Sequence, residues 1–405
     1  MRIIHTSDWH LGQNFYTKTR GPEHRAFLNW LLKVVVEHQV DAIIVAGDIF
    51  DTGSPPSYAR EIYNHFIVQL QSTGCQLIIL AGNHDAVSTL NESRELLACL
   101  NTQVIARAAQ EPGQQAWMIN QKDGQPGAIL CPIPFLRPRD IQHSQSGLDG
   151  YEKQQSLMTA ISEHYQQCYE AALRLRGTQK LPIIATGHLT TVGATTSDAV
   201  RDIYIGSLDA FPADAFPPAD YIALGHIHRP QKVGGYEHIR YSGSPIALSF
   251  DETNRIKSVF LVTFSADKLA SVEPLDVPVT QQLVTLKGSI TEISQQLQQW
   301  QDSVSDNKVW LDIEVSTDEY LNDMQRQIQD LAASLPVEIL LIRRSRAQRE
   351  RFMANPLKET LSELSAEDVF ERRLSQEALD DEQATRLRKL FAQTLSSLHE
   401  EQELP

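Results

Sequence analysis

The residues of this 405-residue chain that could do chemistry follow short apolar runs. The first run, residues 2–6, is predicted to be a buried strand, and Asp8 and His10 come just after its C-terminal end. Residues two apart on an extended segment point to the same side, so this carboxylate and this imidazole can face one point. An Asp-x-His pair is common by chance. It gains weight here because four later segments also pass from a predicted strand into Asp, Asn or His.

Those later segments place a glycine before each polar side chain, which lets the backbones approach one another closely. The polar residues are Asp48, Asn83, His188 and His226, with His228 two positions further on. With Asp8 and His10 they supply carboxylate oxygen, amide oxygen and imidazole nitrogen. This mixture suits manganese, iron or zinc in sites with open positions, whereas calcium prefers oxygen ligands alone. Seven ligands exceed the need of one ion but fit two ions that share a carboxylate. Such a pair, about 3.5–4 Å apart, clamps the attacking and leaving oxygens of a phosphoryl displacement.

The elements that must position these residues alternate along the chain. Residues 22–38 and 57–71 carry apolar side chains at helical spacing, and apolar runs at residues 41–48 and 75–81 are typical of strands buried on both faces. Strands that alternate with helices predict βαβ units and a largely parallel sheet, where ligands bind outside the carboxyl ends of the strands. Further on, the pattern predicts a hairpin at residues 115–131, a long helix at 151–176 and a late strand at 258–264.

Composition limits the class of protein. Hydrophobic residues make up 41% and charged residues 21%, as in ordinary globular proteins, and no apolar run approaches the roughly 18 residues of a membrane span. The N-terminus lacks a basic flank followed by an apolar signal core. Four cysteines without a Cys-x-x-Cys pair suit a reducing cytoplasm better than a disulfide framework or a zinc finger. A formal charge of −15 argues against binding DNA by electrostatics alone, so a polyanionic substrate would need metal ions or a partner to supply positive charge.

Five short motifs carry a family resemblance. They are Asp8-x-His10, Gly47-Asp48-x-x-Asp51, Gly82-Asn83-His84-Asp85, Gly187-His188 and Gly225-His226-x-His228. In this order they resemble the signatures of the calcineurin-like metallophosphoesterase superfamily, and no ligand position is empty. The resemblance implies an α/β fold, a sandwich of two mixed β-sheets flanked by helices.

The same resemblance implies a role for each motif residue. The ligands of one ion would be Asp8, His10 and His228, and those of the other Asn83, His188 and His226, with Asp48 bridging. His84 would not bind metal but would donate a proton to the leaving oxygen, with Asp85 orienting its ring. Asp51 would fix a ligand or the substrate by hydrogen bonds. Two divalent ions are expected, with manganese favoured over iron and zinc.

Within the superfamily, two branches do not fit. Phosphoprotein phosphatases carry an arginine after Gly-Asp-x-x-Asp and a glutamate after Gly-Asn-His, where this chain has Thr52 and Asp85. Small cyclic-nucleotide esterases usually stop after the catalytic domain, and this chain continues far beyond it. The opening residues, residues 47–56 and residues 133–139 instead resemble the nuclease subunits of bacterial double-strand-break repair complexes. That family implies a cytoplasmic, nucleoid-associated DNA exonuclease and endonuclease, gated by an SMC-type ATPase partner. It also implies a homodimer, through helices within residues 57–70 or 91–100.

Beyond a nuclease domain at residues 1–275, the pattern predicts a small α/β domain at residues 280–343. Its strands are predicted at 283–287, 308–315 and 337–342, and its helices at 290–300 and 318–335. By resemblance this domain caps the catalytic domain. Residues 344–405 are predicted to be a linker and C-terminal helices. A basic run at the junction is either a solvated connector or a contact with phosphate or a partner, and its members are Arg343, Arg344, Arg346, Arg349 and Arg351.

Two amphipathic segments follow in the tail. Their apolar positions are Leu361, Leu364, Val369, Phe370 and Leu374 in the first, and Leu387, Leu390, Phe391, Leu395 and Leu398 in the second. They could fold back onto the core or dock on the helices of a partner. The resemblance favours docking on the coiled-coil base of the ATPase, which would also provide a basic DNA-binding surface.

Two rival functions stay open. One is a general phosphodiesterase of small substrates, and the other is a non-catalytic scaffold, which should lack a metal ligand or His84.

Overall fold

The computed structural model describes residues 1–141, 150–195, 200, 210–301, 307–316, 321–344, 370–371, 373–374, 383–388 and 390–391. The chain divides into two compact units. The first contains residues 1–284 and 307–310, and the second contains residues 285–306 and 311–405. Within the described part of the chain, no helix is long and apolar enough to cross a membrane.

The first unit alternates strands and helices. Its strands are β1 (Arg2–Thr6), β2 (Asn14–Phe15), β3 (Lys18–Thr19), β4 (Ala42–Ala46), β5 (Gln76–Leu80), β6 (Thr102–Ile105), β7 (Trp117–Asn120), β8 (Pro126–Cys131), β9 (Ile183–His188), β10 (Tyr221–Gly225), β11 (Gln231–Val233), β12 (Tyr236–Tyr241), β13 (Ser258–Ser265) and β14 (Lys268–Asp276). Its helices are α1 (Gly21–Glu37), α2 (Ser57–Gln71), α3 (Val87–Asn91), α4 (Arg94–Ala98), α5 (Pro138–Ile141) and α6 (Gly150–Arg176).

One sheet has the strand order β14-β13-β1-β4-β5-β6. The strands β1, β4, β5 and β6 run parallel, as the alternation of strands and helices predicts. On the other side of β1, β13 pairs antiparallel with β1, and β14 pairs antiparallel with β13. Every residue of β4 is buried, because α1 and α2 cover one face and the second sheet covers the other. That double burial explains why β4 is a continuous apolar run.

The second sheet has the order β11-β12-β10-β9-β8-β7. Its four inner strands are parallel and both edge strands are antiparallel, including the predicted hairpin of β7 and β8. The apolar side of α6 covers its outer face, while Ile184 and Ala223 on its inner face pack in one core with Ile3 and Ile44 of the first sheet. The predicted sandwich of two mixed sheets flanked by helices is therefore confirmed.

The second unit contains most of a three-stranded sheet, in the order β15 (Leu283–Gly288), β16 (Val309–Val315) and β17 (Val337–Arg344). Helices α7 (Ile290–Leu297) and α8 (Leu321–Ala332) follow the first two strands, so the predicted βαβαβ order is confirmed. A capping box between Ser289 and Glu292 fixes the start of α7. The bounds of the three domains given by the sequence stay a prediction.

Residues 87–98 form two short helices, α3 and α4, which are separated where Ser93 leaves the helical conformation (φ −116°, ψ 15°). One prediction from the sequence needs correction. The basic run does not begin as a free connector: Arg343 and Arg344 belong to β17, and the Arg343 guanidinium lies 2.8 Å from the buried Asp312 carboxylate. The other members of that run, residues 346, 349 and 351, lie outside the described residues.

In the tail, short helical pieces are described around residues 370–374 and 383–391. The rings of Phe370 and Phe391, one from each predicted amphipathic segment, stack with centroids 4.0 Å apart and planes 7° apart. Arg388 bridges to Glu371 at 2.8 Å. The two segments therefore contact each other through an apolar pair and an ion pair. The other apolar positions predicted there, apart from Leu374, Leu387 and Leu390, lie outside the described residues.

The two sheets come very close where β4 and β10 end. A Cβ atom added to Gly225 would overlap the backbone carbonyl oxygen of Ala46, and no side-chain movement can relieve that overlap.

We expect Gly225→Ala to lower the free energy of unfolding by about 1–3 kcal/mol, the usual range for overpacking. Chemical denaturation measures this change. Gly113→Ala is the control, because its Cβ would meet only the Arg174 side chain at an ordinary 3.6 Å; equal losses in both variants would contradict the prediction.

Candidate metal centre

The predicted ligands lie at the carboxyl ends of five strands, drawn from both sheets of the first unit. From the first sheet, β1 is followed by Asp8 and His10, β4 by Asp48, and β5 by Asn83. From the second, β9 ends in His188, and β10 is followed by His226 and His228. The carboxyl ends of parallel strands share one edge of a sheet, and here two such edges meet.

Asp48 lies at the centre of this group, with only 1% of its surface exposed. Its Oδ2 is 3.2 Å from His188 Nε2 and 3.7 Å from His10 Nε2. Its Oδ1 accepts a hydrogen bond of 2.9 Å from the backbone N–H of His84. One carboxylate thus contacts residues that follow three different strands.

Potential ligand atoms form overlapping clusters around Asp48, with all atoms of a cluster within 4.8 Å of one another. The clusters are Asp8 with His10 and His228, Asp48 with His188 and His226, and His10 with Asp48 and His84. Asn83 joins the second cluster, because its Oδ1 lies 2.9 Å from His188 Nε2. All seven predicted ligands are therefore brought together, and the third cluster also includes His84, the expected proton donor.

Two ring nitrogens of the centre are buried without a hydrogen-bond partner: Nε2 of His10 and Nε2 of His226. A buried polar atom without a partner costs roughly 1–3 kcal/mol, so native structures rarely leave one unpaired. A divalent cation beside each of these nitrogens would provide the missing partner. Imidazole nitrogen beside carboxylate and amide oxygen is also the donor set of manganese, iron and zinc sites. The residues present fit divalent metal ions.

Three of the imidazoles are held by their other ring nitrogen. The Nδ1 atom of His10 lies 3.0 Å from Asp51 Oδ1. That of His188 lies 2.9 Å from the Ala46 carbonyl oxygen, and that of His228 lies 3.1 Å from Glu252 Oε1. Such contacts orient a ring so that Nε2 faces the position of a metal. The contact of Asp51 matches the role expected for it. Glu252 was not identified from the sequence, because it belongs to none of the five motifs.

His84 and Asp85 make different contacts from the predicted one. The Nδ1 atom of His84 lies 2.6 Å from the backbone carbonyl of Asp51, and its ring packs edge-on against His10. The Asp85 carboxylate accepts hydrogen bonds from the backbone N–H groups of Gly82, Ile49 and Phe50, at 2.8–3.1 Å. Asp85 therefore holds together the two loops that carry Asp48 and His84, and the ring of His84 is oriented by a carbonyl.

Arg137 is a further residue without a role predicted from the sequence. Its Nη2 donates a 2.9 Å hydrogen bond to the backbone carbonyl of Asp85, which supports the loop that carries His84. The guanidinium also lies over the ring of Phe135. The only sequence signal for it was the resemblance of residues 133–139 to the nuclease-subunit family.

Electrostatics at the centre favour cations. Burial alone would lower the pKa of His10 and of His188, but the carboxylates around them, above all Asp51 for His10 and Asp48 for His188, raise both values to about 9. Burial would raise the pKa of Asp48, yet the rings of His188 and His84 hold it well below its usual value. Burial, followed by the charge of Asp48, raises the pKa of Asp85 to about 6. The carboxylates therefore draw positive charge into a buried pocket.

The backbone at the centre is strained. Four of the predicted ligands have positive φ values that non-glycine residues rarely adopt, and they are Asp8 (53°), His10 (46°), Asp48 (50°) and His226 (96°). Each such conformation costs on the order of 1–3 kcal/mol and persists only where the surroundings enforce it. Here the loops enforce it on each other, since the N–H groups of Asp8 and His10 donate to the carbonyls of Gly47 and Asp48 at 3.0 and 3.1 Å.

Comparison with known proteins agrees with this fold and site. A family model described as calcineurin-like phosphoesterase matches residues 1–230, and one described as type 5 capsule protein repressor C-terminal domain matches residues 279–378. The fold and site thus define a calcineurin-like phosphoesterase.

Relatives in three bacteria are named as the SbcD component of the nuclease SbcCD. The chain is 65% identical to that of Escherichia coli (strain K12) over 100% of both chains. It is 34% identical to that of Rhodobacter capsulatus, over 71% of this chain and 73% of the relative, and 28% identical to that of Bacillus subtilis, over 99% of both. The chain therefore belongs to the calcineurin-like phosphoesterase family, in the branch of the SbcD nucleases.

We expect Asp48→Asn to lower the divalent metal content of the purified protein by more than half. An amide offers one oxygen donor and no negative charge, so it cannot serve two ions as a carboxylate can. Metal content is measured by mass spectrometry after loading with Mn²⁺ and removal of excess ion. Asp123→Asn, at an exposed turn that serves no ligand, is the matched control. Unchanged metal content in Asp48→Asn would contradict the central position of this carboxylate.

Proposed function

We propose that the chain is the metal-dependent nuclease subunit of a complex with an SbcC-like, SMC-type ATPase. It hydrolyses DNA phosphodiesters, as a 3′-to-5′ exonuclease on duplex ends and as an endonuclease on single strands and hairpins, in DNA repair, recombination and replication. The observation that carries this proposal is the meeting of the seven predicted ligand side chains, with the buried Asp48 at their centre. The name shared by relatives up to 65% identical supports the substrate class.

Two divalent ions are the cofactors in this proposal, with Mn²⁺ favoured. Asp8, His10 and His228 would hold one of them and Asn83, His188 and His226 the other, and Asp48 would serve both. When bound, the ions supply the Lewis-acid chemistry of phosphodiester hydrolysis, neutralising phosphate charge and making water more acidic. The unpartnered Nε2 atoms of His10 and His226 support one binding position in each group.

His84 is the proposed proton donor. The Asp51 carbonyl can only accept a hydrogen bond, so the 2.6 Å contact fixes the proton on Nδ1 of His84. In the imidazolium, Nε2 then carries the mobile proton and gives it to the departing oxygen. The backbone N–H of His84 is bound to Asp48, so the donor and the ligands are held as one rigid unit. Asp85 acts through the loops, by accepting three backbone hydrogen bonds.

DNA, the ATPase and a second copy of the chain are the proposed partners. A formal charge of −15 means that the metal ions and a basic surface on the ATPase must offset the charge of DNA. A homodimer within a heterotetramer is supported by exposed apolar residues on both segments predicted to dimerise, Val68 of α2 and Leu96 of α4. The proposed location is the cytoplasm, at the nucleoid.

Two other functions have less support. A scaffold without activity would not need to keep seven ligands and His84 together at one point. A general phosphodiesterase of small substrates would share the centre, but it should hydrolyse a chromogenic diester as efficiently as DNA. Comparing kcat/KM for the two substrates separates this alternative from the nuclease.

We expect His84→Gln to keep its metal ions and to lose DNA cleavage by about 10²–10⁴-fold, the usual contribution of general acid catalysis. The measurement is Mn²⁺-dependent cleavage of a labelled duplex and a labelled hairpin, with metal content determined for both proteins. His65→Gln, at an exposed position of α2, is the control for loss of an imidazole elsewhere. Equal cleavage by wild type and His84→Gln would refute the role as proton donor.

We expect a chain truncated after Leu361 to lose its association with the ATPase while its metal content stays that of wild type. The truncation removes both apolar segments of the tail, including the stacked Phe370 and Phe391. Co-purification from a strain that expresses both proteins, followed by metal analysis, provides the measurement. If the truncated chain still co-purifies in full yield, docking through the tail is wrong.

A further inference from the structure

A buried lysine lies beside the candidate metal centre and belongs to none of its motifs. Lys257, just before β13, is 7% exposed, although lysine is seldom buried without a partner. Its ammonium group has three N–H donors, and the structure provides three acceptors. They are Glu252 Oε2 at 2.6 Å, Ser244 Oγ at 2.7 Å and the backbone carbonyl of His228 at 3.1 Å.

Two of these acceptors lead to the same residue. Lys257 contacts the main chain of His228 directly, and it contacts Glu252, whose other oxygen lies 3.1 Å from Nδ1 of the His228 ring. Both the backbone and the side chain of His228 are thus held by one charged pair. Glu252 and His228 are 4% and 3% exposed, so water does not compete for these contacts.

The loops around this pair are fixed by the same atoms. The Leu248 N–H donates to Glu252 Oε2 at 3.0 Å, and Ser244, which accepts from Lys257, donates to the Ile246 carbonyl at 2.9 Å. The ammonium therefore joins the turn after β12 to the loop after β10.

We infer that Lys257 and Glu252 form a clamp that positions His228 as a ligand of the Asp8–His10–His228 group. Glu252 orients the ring so that Nε2 faces the ion, and Lys257 ties Glu252 to the main chain of the ligand it serves. Lys257 is a positioning residue, because it acts through Glu252 and the backbone. This inference rests on the proposed metal centre and assigns a role to two residues outside all five motifs.

The clamp predicts a selective defect. Loss of such a supporting contact typically weakens metal binding by 10–100-fold. In Lys257→Met and in Glu252→Gln, we expect one class of Mn²⁺ sites to weaken by that factor while the other keeps the affinity of wild type. The other class is unaffected because His188 is held by the Ala46 carbonyl, which belongs to the first sheet. Calorimetric titration of the metal-stripped full-length protein with Mn²⁺ measures both classes.

Folding must be separated from positioning, because Lys257→Met leaves a buried carboxylate without its counter-ion. The double variant Lys257→Met/Glu252→Gln removes both charges, and we expect its thermal stability to recover while Mn²⁺ binding stays weak. Recovery of metal affinity together with stability would overturn the inference and leave the pair a purely structural role. A single variant that folds well and binds Mn²⁺ like wild type would overturn it too.

Two controls locate the effect. In a His228→Ala background, Lys257→Met should cause no additional loss of Mn²⁺ affinity; an additive loss would contradict action through His228. Lys232→Met and Glu237→Gln break an exposed pair of the same chemistry and should leave the titration unchanged. If wild type itself bound no Mn²⁺, the proposed metal centre would be wrong. If wild type and all clamp variants bound Mn²⁺ equally well, only the positioning role of Lys257 and Glu252 would be wrong.

Discussion

The carboxylate of Asp48 is the constraint on which this structure depends. Its two oxygens contact the loop after β5, the imidazole after β1 and the imidazole at the end of β9. A buried anion is tolerated only when it is surrounded by hydrogen bonds and positive charge. Both sheets therefore have to deliver donors to one point, and the sandwich geometry provides the edge where they can.

That requirement explains features that would otherwise only cost stability. Four ligand residues have left-handed backbones, and glycines at positions 47, 82 and 225 leave no room for a Cβ atom. Elsewhere in a fold such conformations would be replaced by relaxed ones. Here they let five loops reach the same small volume, and the extensive apolar core on both sides of the first sheet outweighs the strain. The centre is rigid because each loop is bonded to the next.

Much of the centre could be predicted from the sequence, because the ligands follow apolar runs that can only be buried strands. The spacing of Asp8 and His10, and the glycine before His226, are local signals. The supporting residues carry no such signal: Glu252 and Lys257 are five residues apart in an ordinary loop, and only the tertiary fold brings them to His228. Periodicity also cannot assign partners: it predicted the late strand that is β13 but not its antiparallel pairing with β1, and it did not predict β14. Asp85 shows a further limit, because a motif fixes a residue's place and not which atoms it contacts.

The place of β1 within the first sheet has a consequence for synthesis of the chain. β1 is an inner strand, and one of its two neighbours is β13, with Arg2 opposite Thr263. At ~5–20 residues per second, the ribosome needs on the order of ten seconds or more to supply that neighbour after β1 has emerged. Until then β1, which leads into Asp8 and His10, lacks one of its two neighbouring strands. A translation product that ends before β13 therefore leaves one edge of β1 without hydrogen-bond partners, next to the segment that carries two of the predicted metal ligands.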